Sequence, residues 1–350
     1  MKRRSFVARG LIGAAGAGTV LASCGQPSVD GVPAVQTRKS VTWRLASSFS
    51  RSLDTIYGAS EVLAERVSQL TDGRFRIRPY PGGELVPALE VLGAVQTGTI
   101  QMGHSASYYY VGKNPTFAFD TCVPFGLTAR MQNAWLYYAG GLEQMRAVFA
   151  DFNIVNLPGG NTGVQMGGWF RREIDSLSDL RGLKMRIPGL GGQVMDRLGV
   201  NVQLISSGEI FPALERGAID ATEWVGPYDD EKLGFQKVAR NYYYPGWWEP
   251  GPTLSFYVNR SAWDTLPAEY QSALESAAAE ANVRMLARYD AQNPPALRRL
   301  LDGGVKLKRF PIDILDAART QAFDIMNQQA SSEAGYRRVY ESFTAFRDQA

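Results

Sequence analysis

Residues 41–103 read VTWRLASSFSRSLDTIYGASEVLAERVSQLTDGRFRIRPYPGGELVPALEVLGAVQTGTIQMG. Residues 41–45 and 75–77 alternate between apolar and polar side chains, which is typical of β-strands. Between these strands apolar residues recur every three or four positions, and the same helical spacing returns over residues 85–95. Residues 100–103 then predict a third strand. This β-α-β-α-β order predicts a parallel sheet with helices packed on its faces.

A second round of short strands and helices begins at residue 153. Further strands are predicted over residues 164–169, 183–187, 219–223 and 253–258. The last of these precedes a long helix that opens at Pro267. We predict two α/β lobes joined by more than one crossing, because the final strand and the long helix could return to the first lobe. A single large α/β domain is the alternative, since periodicity does not separate the two.

The N-terminal region has the composition of an export signal followed by a linker. One lysine and two arginines at positions 2–4 precede a mildly apolar stretch, so residues 1–23 predict a signal of the twin-arginine type. The signal ends in Leu-Ala-Ser before Cys24, which resembles the lipobox of bacterial lipoproteins. Cys24 is therefore the predicted lipidation site and anchor, with ordinary cleavage nearby as the alternative. The polar residues 24–40 predict a tether.

Removing the signal balances the charge of the chain. The full sequence has 37 lysines and arginines against 34 acidic residues, and four of the basic residues lie within residues 1–23. The mature chain therefore carries 33 basic residues against 34 acids. This balance predicts no nucleic-acid partner and no membrane surface held by charge. The predicted location is the periplasm, with a membrane tether if Cys24 is lipidated.

Several kinds of catalytic site are excluded by the residues present. His104 is the only histidine, so no pair of histidines can bind a metal. Glycine doublets occur, but none completes a phosphate loop, a dinucleotide fingerprint or a Gly-x-Ser-x-Gly elbow. Cys122 lies in an apolar segment and is predicted to be a buried hydrophobic residue, and His104 is predicted to be structural. These observations argue against an enzyme.

Three polar side chains stand in apolar or glycine-rich surroundings near predicted strand ends. Arg186 lies between Met185 and Ile187, and a buried guanidinium must meet an anion. Its planar fork suits a carboxylate ligand, although an internal ion pair is equally consistent. Glu223 requires a cation or a donor, unless it is a partly exposed loop residue. Gln165 could orient a ligand or bond only to backbone.

Four segments strongly resemble the receptors of tripartite ATP-independent periplasmic (TRAP) transporters, and most closely the branch that binds 2-oxo monocarboxylates such as pyruvate. They are residues 41–49, 159–172, 182–186 and 219–234, and the resemblance extends over about residues 41–345. It implies two α/β lobes of the type II-like periplasmic-binding-protein kind, with a hinge and an interlobe ligand cleft. The implied first lobe comprises residues 41–160 and roughly 252–290. The implied second lobe comprises residues 161–251 and roughly 291–350.

The resemblance also implies roles for particular side chains. It implies ligand contacts from Tyr109, Gln165 and Arg186, with Arg186 gripping the carboxylate. It implies that Gln165, Glu223, Trp224 (through its carbonyl) and Glu249 surround a cation, which the ligand's carboxylate and 2-oxo oxygen also chelate. Hinge crossings are expected near Gly160 and Pro252.

A cation between two glutamates and a mono-anion is also physically reasonable, because the three negative charges would otherwise repel one another. Oxygen ligands suit hard cations. With one arginine present, sodium leaves the site with one net negative charge and calcium leaves it neutral. The resemblance favours sodium, which is the predicted cofactor, whereas charge balance favours calcium.

The sequence therefore predicts an extracytoplasmic solute receptor that passes a small carboxylate to TRAP membrane subunits and performs no chemistry on it. A metal-assisted lyase or isomerase acting on 2-oxo acids is one alternative, and a ligand sensor for a signalling receptor is another. The resemblance implies a homodimer in which a further helix exchanges elements between two protomers. This sequence stops at Ala350, soon after a predicted helical segment, so dimerisation by that route is not expected.

Overall fold

The computed structural model describes residues 39–349. The predicted export signal and Cys24 lie outside these residues. The strands, in chain order, are β1 Val41–Ser47, β2 Phe75–Tyr80, β3 Met102–Ser105, β4 Ile154–Asn161, β5 Trp169–Phe170, β6 Lys184–Arg186, β7 Asn201–Gln203, β8 Ala221–Thr222, β9 Asn241–Tyr244, β10 Thr253–Asn259 and β11 Lys306–Arg309. They form two separate sheets, and the elements around each sheet make one lobe.

Helices cover both sheets and connect them. In chain order they are α1 Gly58–Leu70, α2 Val91–Gln96, α3 Ala118–Thr121, α4 Ala129–Tyr138, α5 Gly141–Ala150, α6 Gly189–Arg197, α7 Ser207–Glu215, α8 Pro227–Leu233, α9 Arg260–Asp264, α10 Ala268–Asp302, α11 Ile312–Ser332 and α12 Ala334–Arg347. Within the described part of the chain, no helix combines the length and apolar composition that crossing a lipid bilayer requires.

The first sheet has the strand order β2-β1-β3-β10-β4. Strands β1, β2 and β3 are parallel, which confirms the β-α-β-α-β prediction from residues 41–103. Strand β10 comes from much later in the chain and runs antiparallel to both β3 and β4. Every residue of β4 and β10 is buried, so these two strands form the interior of the first lobe.

The second sheet has the order β11-β9-β5-β8-β6-β7. Its central strands are only two or three residues long, and they end where the polar side chains of the predicted site begin. Strand β6 lies parallel to both β7 and β8. The register places Arg186 beside Gln203 of the edge strand β7 on one side and Thr222 of β8 on the other, so the arginine lies on an internal strand.

The chain crosses between the lobes several times. It passes from β4 to β5, returns from β9 to β10, and crosses again along the 35-residue helix α10, which packs on α1 and β4 of the first lobe and on α8 of the second. After α11 packs on α6, α12 returns to α3, α4 and α5. The final helix, Ala334–Arg347, therefore belongs with the first lobe, which differs from the expected inclusion of residues 291–350 in the second. Tyr336 and Phe343 insert into the aromatic core beside Phe119, and this burial holds the helix there.

One local prediction differs from the structure. The second helix spans only Val91–Gln96, whereas residues 85–95 carry helical spacing. Pro87 explains part of the difference, because proline disfavours helical backbone in the preceding residue.

The lone histidine, His104, is buried in β3, where its Nδ1 lies 3.1 Å from Ser60 Oγ. Burial lowers its pKa to about 3, so it is neutral at physiological pH.

Candidate functional site

Arg186 lies at the end of β6 with only 1% of its surface exposed. Its Nη1 donates to the Glu223 carboxylate and, at 3.3 Å, to the Glu223 carbonyl oxygen. Its Nε donates to the Ile205 carbonyl at 3.2 Å. The internal ion pair that the sequence left open is therefore present. It does not close off the guanidinium, because Arg186 also lines a narrow pocket between the lobes.

Both lobes and the crossing strands contribute to this pocket. The lining residues are Phe49, Ile56, Tyr108, Tyr109, Thr162, Gln165, Arg186, Trp224, Val225, Pro252 and Leu254. Phe49 of the first lobe meets Trp224 of the second edge to face, with 6.3 Å between ring centroids. The Trp224 ring also lies 5.1 Å from the Arg186 guanidinium carbon, a cation–π distance. The lobes are thus in contact around the arginine.

Three buried oxygens at this site have no hydrogen-bond partner among the described residues: Glu223 Oε2, Glu249 Oε2 and Gln165 Oε1. Gln165 is held so that its oxygen is free, since its Nε2 donates to Thr162 Oγ1 at 3.1 Å. Its backbone N–H donates to the Glu249 carbonyl at 3.1 Å, which joins the two segments. Unpartnered buried oxygens are costly, and a bound cation would satisfy them.

The electrostatics of the two glutamates also favour a positive charge at this point. Burial raises the pKa of Glu223 to about 7, and Arg186 only partly offsets that shift. Burial and the nearby Glu223 raise the pKa of Glu249 well above its ordinary value. A bound cation would therefore favour the ionised form of both carboxylates.

The set of donors fits a hard cation. Within residues 39–349 no cluster of three or more histidines, cysteines or acids could hold a metal ion. Two carboxylates and an amide oxygen could do so, and these are the oxygen ligands that sodium and calcium take. Cys122 and His104 do not line the pocket.

The segment after Glu223 is positioned by a second buried acid. Asp230 in α8 accepts hydrogen bonds from Trp169 Nε1 at 2.9 Å and Tyr242 Oη at 2.7 Å. Its other oxygen accepts from the backbone N–H groups of Val225 and Gly226 at 3.3 and 3.2 Å. These bonds fix the turn that presents the Trp224 ring to the pocket.

A glycine permits the close approach of the Gln165 loop to the Glu223 strand. Gly168 has a φ of +87°, and a Cβ there would lie 2.4 Å from the Thr222 carbonyl oxygen. Any other residue would push the two segments apart. The glycine-rich composition near Gln165, noted in the sequence, thus has a local steric cause.

The structure brings the predicted site residues together. Tyr109, Gln165, Arg186 and Trp224 line one pocket, Glu223 pairs with Arg186, and Glu249 bonds to Gln165 through its backbone. The lining residues that the sequence did not single out are Phe49, Ile56, Tyr108, Thr162, Val225 and Leu254. Phe49, Thr162 and Val225 lie inside the segments that carry the family resemblance, and Tyr108 is next to Tyr109. Nothing in the local sequence marks Ile56 or Leu254 as a pocket residue.

Comparison with known proteins agrees with this geometry. Residues 46–333 match the DctP family, the bacterial extracellular solute-binding proteins of family 7. The chain belongs to this family. A DctP relative from Nostoc sp., named a monocarboxylate 2-oxoacid-binding periplasmic protein, is 56% identical over 349 residues, which are 100% of this chain and 94% of the relative.

Solved structures of TRAP solute-binding proteins share the DctP fold of this chain. One from Bordetella bronchiseptica has a TM-score of 0.88 and 49% identity, covers 89% of this chain and 93% of its own, and is a dimer with calcium and picolinate in one site. One from Pseudoalteromonas atlantica has a TM-score of 0.86, 41% identity and coverage of 89% and 95%, and holds sodium and pyruvate. One from Colwellia psychrerythraea has a TM-score of 0.86, 39% identity and the same coverage, and holds calcium and pyruvate. The predicted family and two-lobed fold are confirmed.

Proposed function

We propose that this DctP-family receptor binds a small 2-oxo monocarboxylate of the pyruvate type and delivers it to TRAP membrane subunits. One observation carries the proposal: the buried Arg186 guanidinium and the unpartnered Gln165 Oε1 line the same narrow interlobe pocket. The two other unpartnered oxygens belong to Glu223, which pairs with Arg186, and to Glu249, whose carbonyl accepts from the Gln165 N–H. The positive group suits a carboxylate, and the oxygens suit a cation that a 2-oxo acid could chelate. The relatives with 39–56% identity that name such ligands support this assignment.

In the proposed complex, Arg186 holds the ligand carboxylate while its bonds to Glu223 and Ile205 keep the guanidinium in place. Glu223, Glu249, Gln165 and the Trp224 carbonyl hold the cation. When bound, the cation supplies positive charge that allows the glutamates and the anionic ligand to share the site. Tyr109 contributes from the first lobe. The aromatic walls exclude water, which strengthens each of these interactions.

We assign sodium as the cation, with calcium as the competing assignment. Ligand capture without turnover is the proposed role, in keeping with the solute-binding family to which the chain belongs. A metal-assisted lyase or isomerase, with a glutamate as the base, is the alternative that the turnover experiment below tests.

A thermal-shift and calorimetric screen tests the proposed function. Pyruvate, 2-oxobutyrate and lactate would each be added to chelator-treated protein with no metal added, with sodium or with calcium. We expect the 2-oxo acids to bind saturably in 1:1 stoichiometry and to raise the melting temperature by several degrees at high saturation. Lactate should bind more weakly, because it lacks the 2-oxo oxygen.

Two results would count against this function. Absence of binding for every 2-oxo acid with either cation would remove the proposed ligand class. If NMR over many hours detected conversion of pyruvate to a product, the lyase or isomerase would be favoured instead. The cation that supports the tighter binding decides between sodium and calcium.

The cellular context is proposed from the N-terminal sequence. Residues 1–23 direct export, and Cys24 becomes a lipidated N-terminus that tethers the receptor through residues 24–40. Mass spectrometry of the processed protein is expected to show a diacylglyceryl cysteine, and Cys24→Ser should release the protein from the membrane fraction. Soluble wild-type protein that begins after residue 24 would disprove the anchor. We propose a homodimer as one assembly of the receptor, since the Bordetella bronchiseptica relative is a dimer. Sedimentation velocity that shows only monomer would contradict it.

A further inference from the structure

Asp54 connects the two lobes at a point outside the pocket. It lies between β1 and α1 of the first lobe, and its Oδ1 accepts a charged hydrogen bond from Lys232 Nζ in α8. Its Oδ2 accepts from Tyr228 Oη in the same helix, at 3.2 Å, and from Arg288 Nη2 in α10. Arg288 Nη1 also donates to the Asp54 carbonyl at 3.0 Å. One first-lobe carboxylate thus meets two cations and a hydroxyl from the second lobe and the connecting helix.

Asp54 does not cap the first helix. The structure places the helix start at Gly58, with Tyr57 in the capping position and no side-chain cap. The carboxylate is therefore free to point across the interlobe boundary.

The second-lobe half of this cluster is held firmly. Glu231 in α8 pairs with Arg299 in α10, with Nη2 to Oε2 at 2.6 Å and Nε to Oε1 at 3.0 Å. The Tyr228 backbone N–H donates to Asn293 Oδ1 at 3.1 Å. The Lys232 ammonium lies 3.7 Å from the Tyr228 ring centroid, which fixes its direction. These contacts fix the position of helix α8, from which Lys232 and Tyr228 reach Asp54.

Both halves of the cluster are linked to the pocket through a few residues of chain. Ile56 lines the pocket two residues after Asp54. On the other side, Trp224 and Val225 line the pocket just before α8 begins at Pro227. Separation of the pocket walls must therefore separate Asp54 from Lys232 and Tyr228.

We propose that Asp54, Lys232, Tyr228 and Arg288 form an interlobe latch that holds the receptor closed and slows ligand release without touching the ligand. The inference rests on the proposed function, because closure matters through ligand retention. A contact made only in the closed form raises its population, and the apparent affinity follows that population.

The expected effect is modest. Side-chain exposure is 43% for Asp54, 27% for Lys232 and 45% for Arg288, so water and salt weaken each ion pair. We expect Asp54→Asn to raise the dissociation rate of pyruvate about three- to tenfold in low salt, with little change in the association rate. The difference from wild type should shrink in 0.5 M salt, because screening weakens the wild-type latch.

The matched control is Glu173→Gln. Glu173 also accepts from two cations, Lys306 and Lys308, and is 39% exposed, but all three residues belong to the second lobe. Its loss should leave the dissociation rate unchanged. A Lys232→Gln variant and the Asp54→Asn/Lys232→Gln double variant complete the test. The double variant should release ligand hardly faster than Asp54→Asn alone, because both changes remove one shared interaction.

A dissociation rate for Asp54→Asn equal to that of Glu173→Gln would overturn the latch. If wild-type protein bound no 2-oxo acid, the proposed function would fail, and the latch would still be tested by small-angle scattering of ligand-free protein in low salt. There the radius of gyration of Asp54→Asn should exceed that of wild type and of Glu173→Gln. Equal radii would overturn it in that case.

Discussion

Arg186→Ala is expected to raise the dissociation constant for pyruvate about 100-fold or more. Removal of one partner from a buried charged contact costs about 2–5 kcal/mol, and each 1.4 kcal/mol is a tenfold change. Arg186 is buried and is the only cationic side chain lining the pocket among residues 39–349, so no neighbour replaces it. Isothermal calorimetry at saturating sodium or calcium measures the change.

The variant must be folded for this result to have meaning. Arg186→Ala leaves Glu223 without its partner, but burial already raises the pKa of that carboxyl to about 7, so it can take up a proton. Circular dichroism should therefore show a folded protein. Lys184→Ala is the control, because Lys184 stands on the same strand with an exposed side chain. Arg186→Lys should bind with intermediate affinity, since it keeps the charge but loses the planar fork. If folded Arg186→Ala bound pyruvate with unchanged affinity, Arg186 would not be a ligand-binding residue.

Glu249→Gln is expected to have opposite effects on ligand affinity and on the stability of the metal-free protein. The dissociation constant of pyruvate should rise about 10- to 100-fold, because the cation loses a charged ligand. The rise in melting temperature that sodium or calcium gives wild type should largely disappear. The metal-free variant should be at least as stable as metal-free wild type, because burying an uncompensated carboxylate is costly.

The pH dependence of metal-free wild type provides a second readout. The pKa values of Glu223 and Glu249 are raised in the folded protein, so folding favours their protonated forms. That contribution is fully present below the ordinary value of 4.5, and it is lost as pH rises through about 7, the folded value of Glu223. Chelator-treated wild type should lose unfolding free energy over this range, and added cation should restore it.

Denaturant titrations of wild type, Glu249→Gln and Glu215→Gln would check both expectations. Glu215 is an exposed glutamate at the end of α7 in the second lobe, so its variant should behave as wild type. A Glu249→Gln protein that keeps the full cation-dependent shift would show that Glu249 is not a cation ligand.

Closure links these predictions to the latch. The Phe49–Trp224 contact and the Asp54 cluster both join the first lobe to the second, one inside the pocket and one outside it. We expect the pocket residues to set the affinity for the ligand, and we expect the latch to act mainly on the dissociation rate. Variants of Arg186 and Glu249 should therefore alter affinity far more than Asp54→Asn.

Much of this protein could be predicted from residue order alone. The strand and helix periods over residues 41–103 determine a parallel sheet, because each element buries one apolar side at its own spacing. Arg186 and Glu223 stand out because a charge in an apolar strand demands a partner. These properties can be recognised from a residue and its neighbours in the sequence. The family motifs around residues 159–172 and 219–234 additionally predict that Arg186 and Glu223 belong to the same site.

Only the tertiary structure decided what those residues meet. It paired Arg186 with Glu223 beside a pocket, placed α12 on the first lobe, and directed Asp54 to Lys232 across the boundary and to Arg288 of the connecting helix. Along the chain, Asp54 is separated from Lys232 by 178 positions and from Arg288 by 234 positions. No periodic pattern in the sequence predicts contacts over such separations. They depend on how two lobes, joined by several crossings and one 35-residue helix, pack against each other.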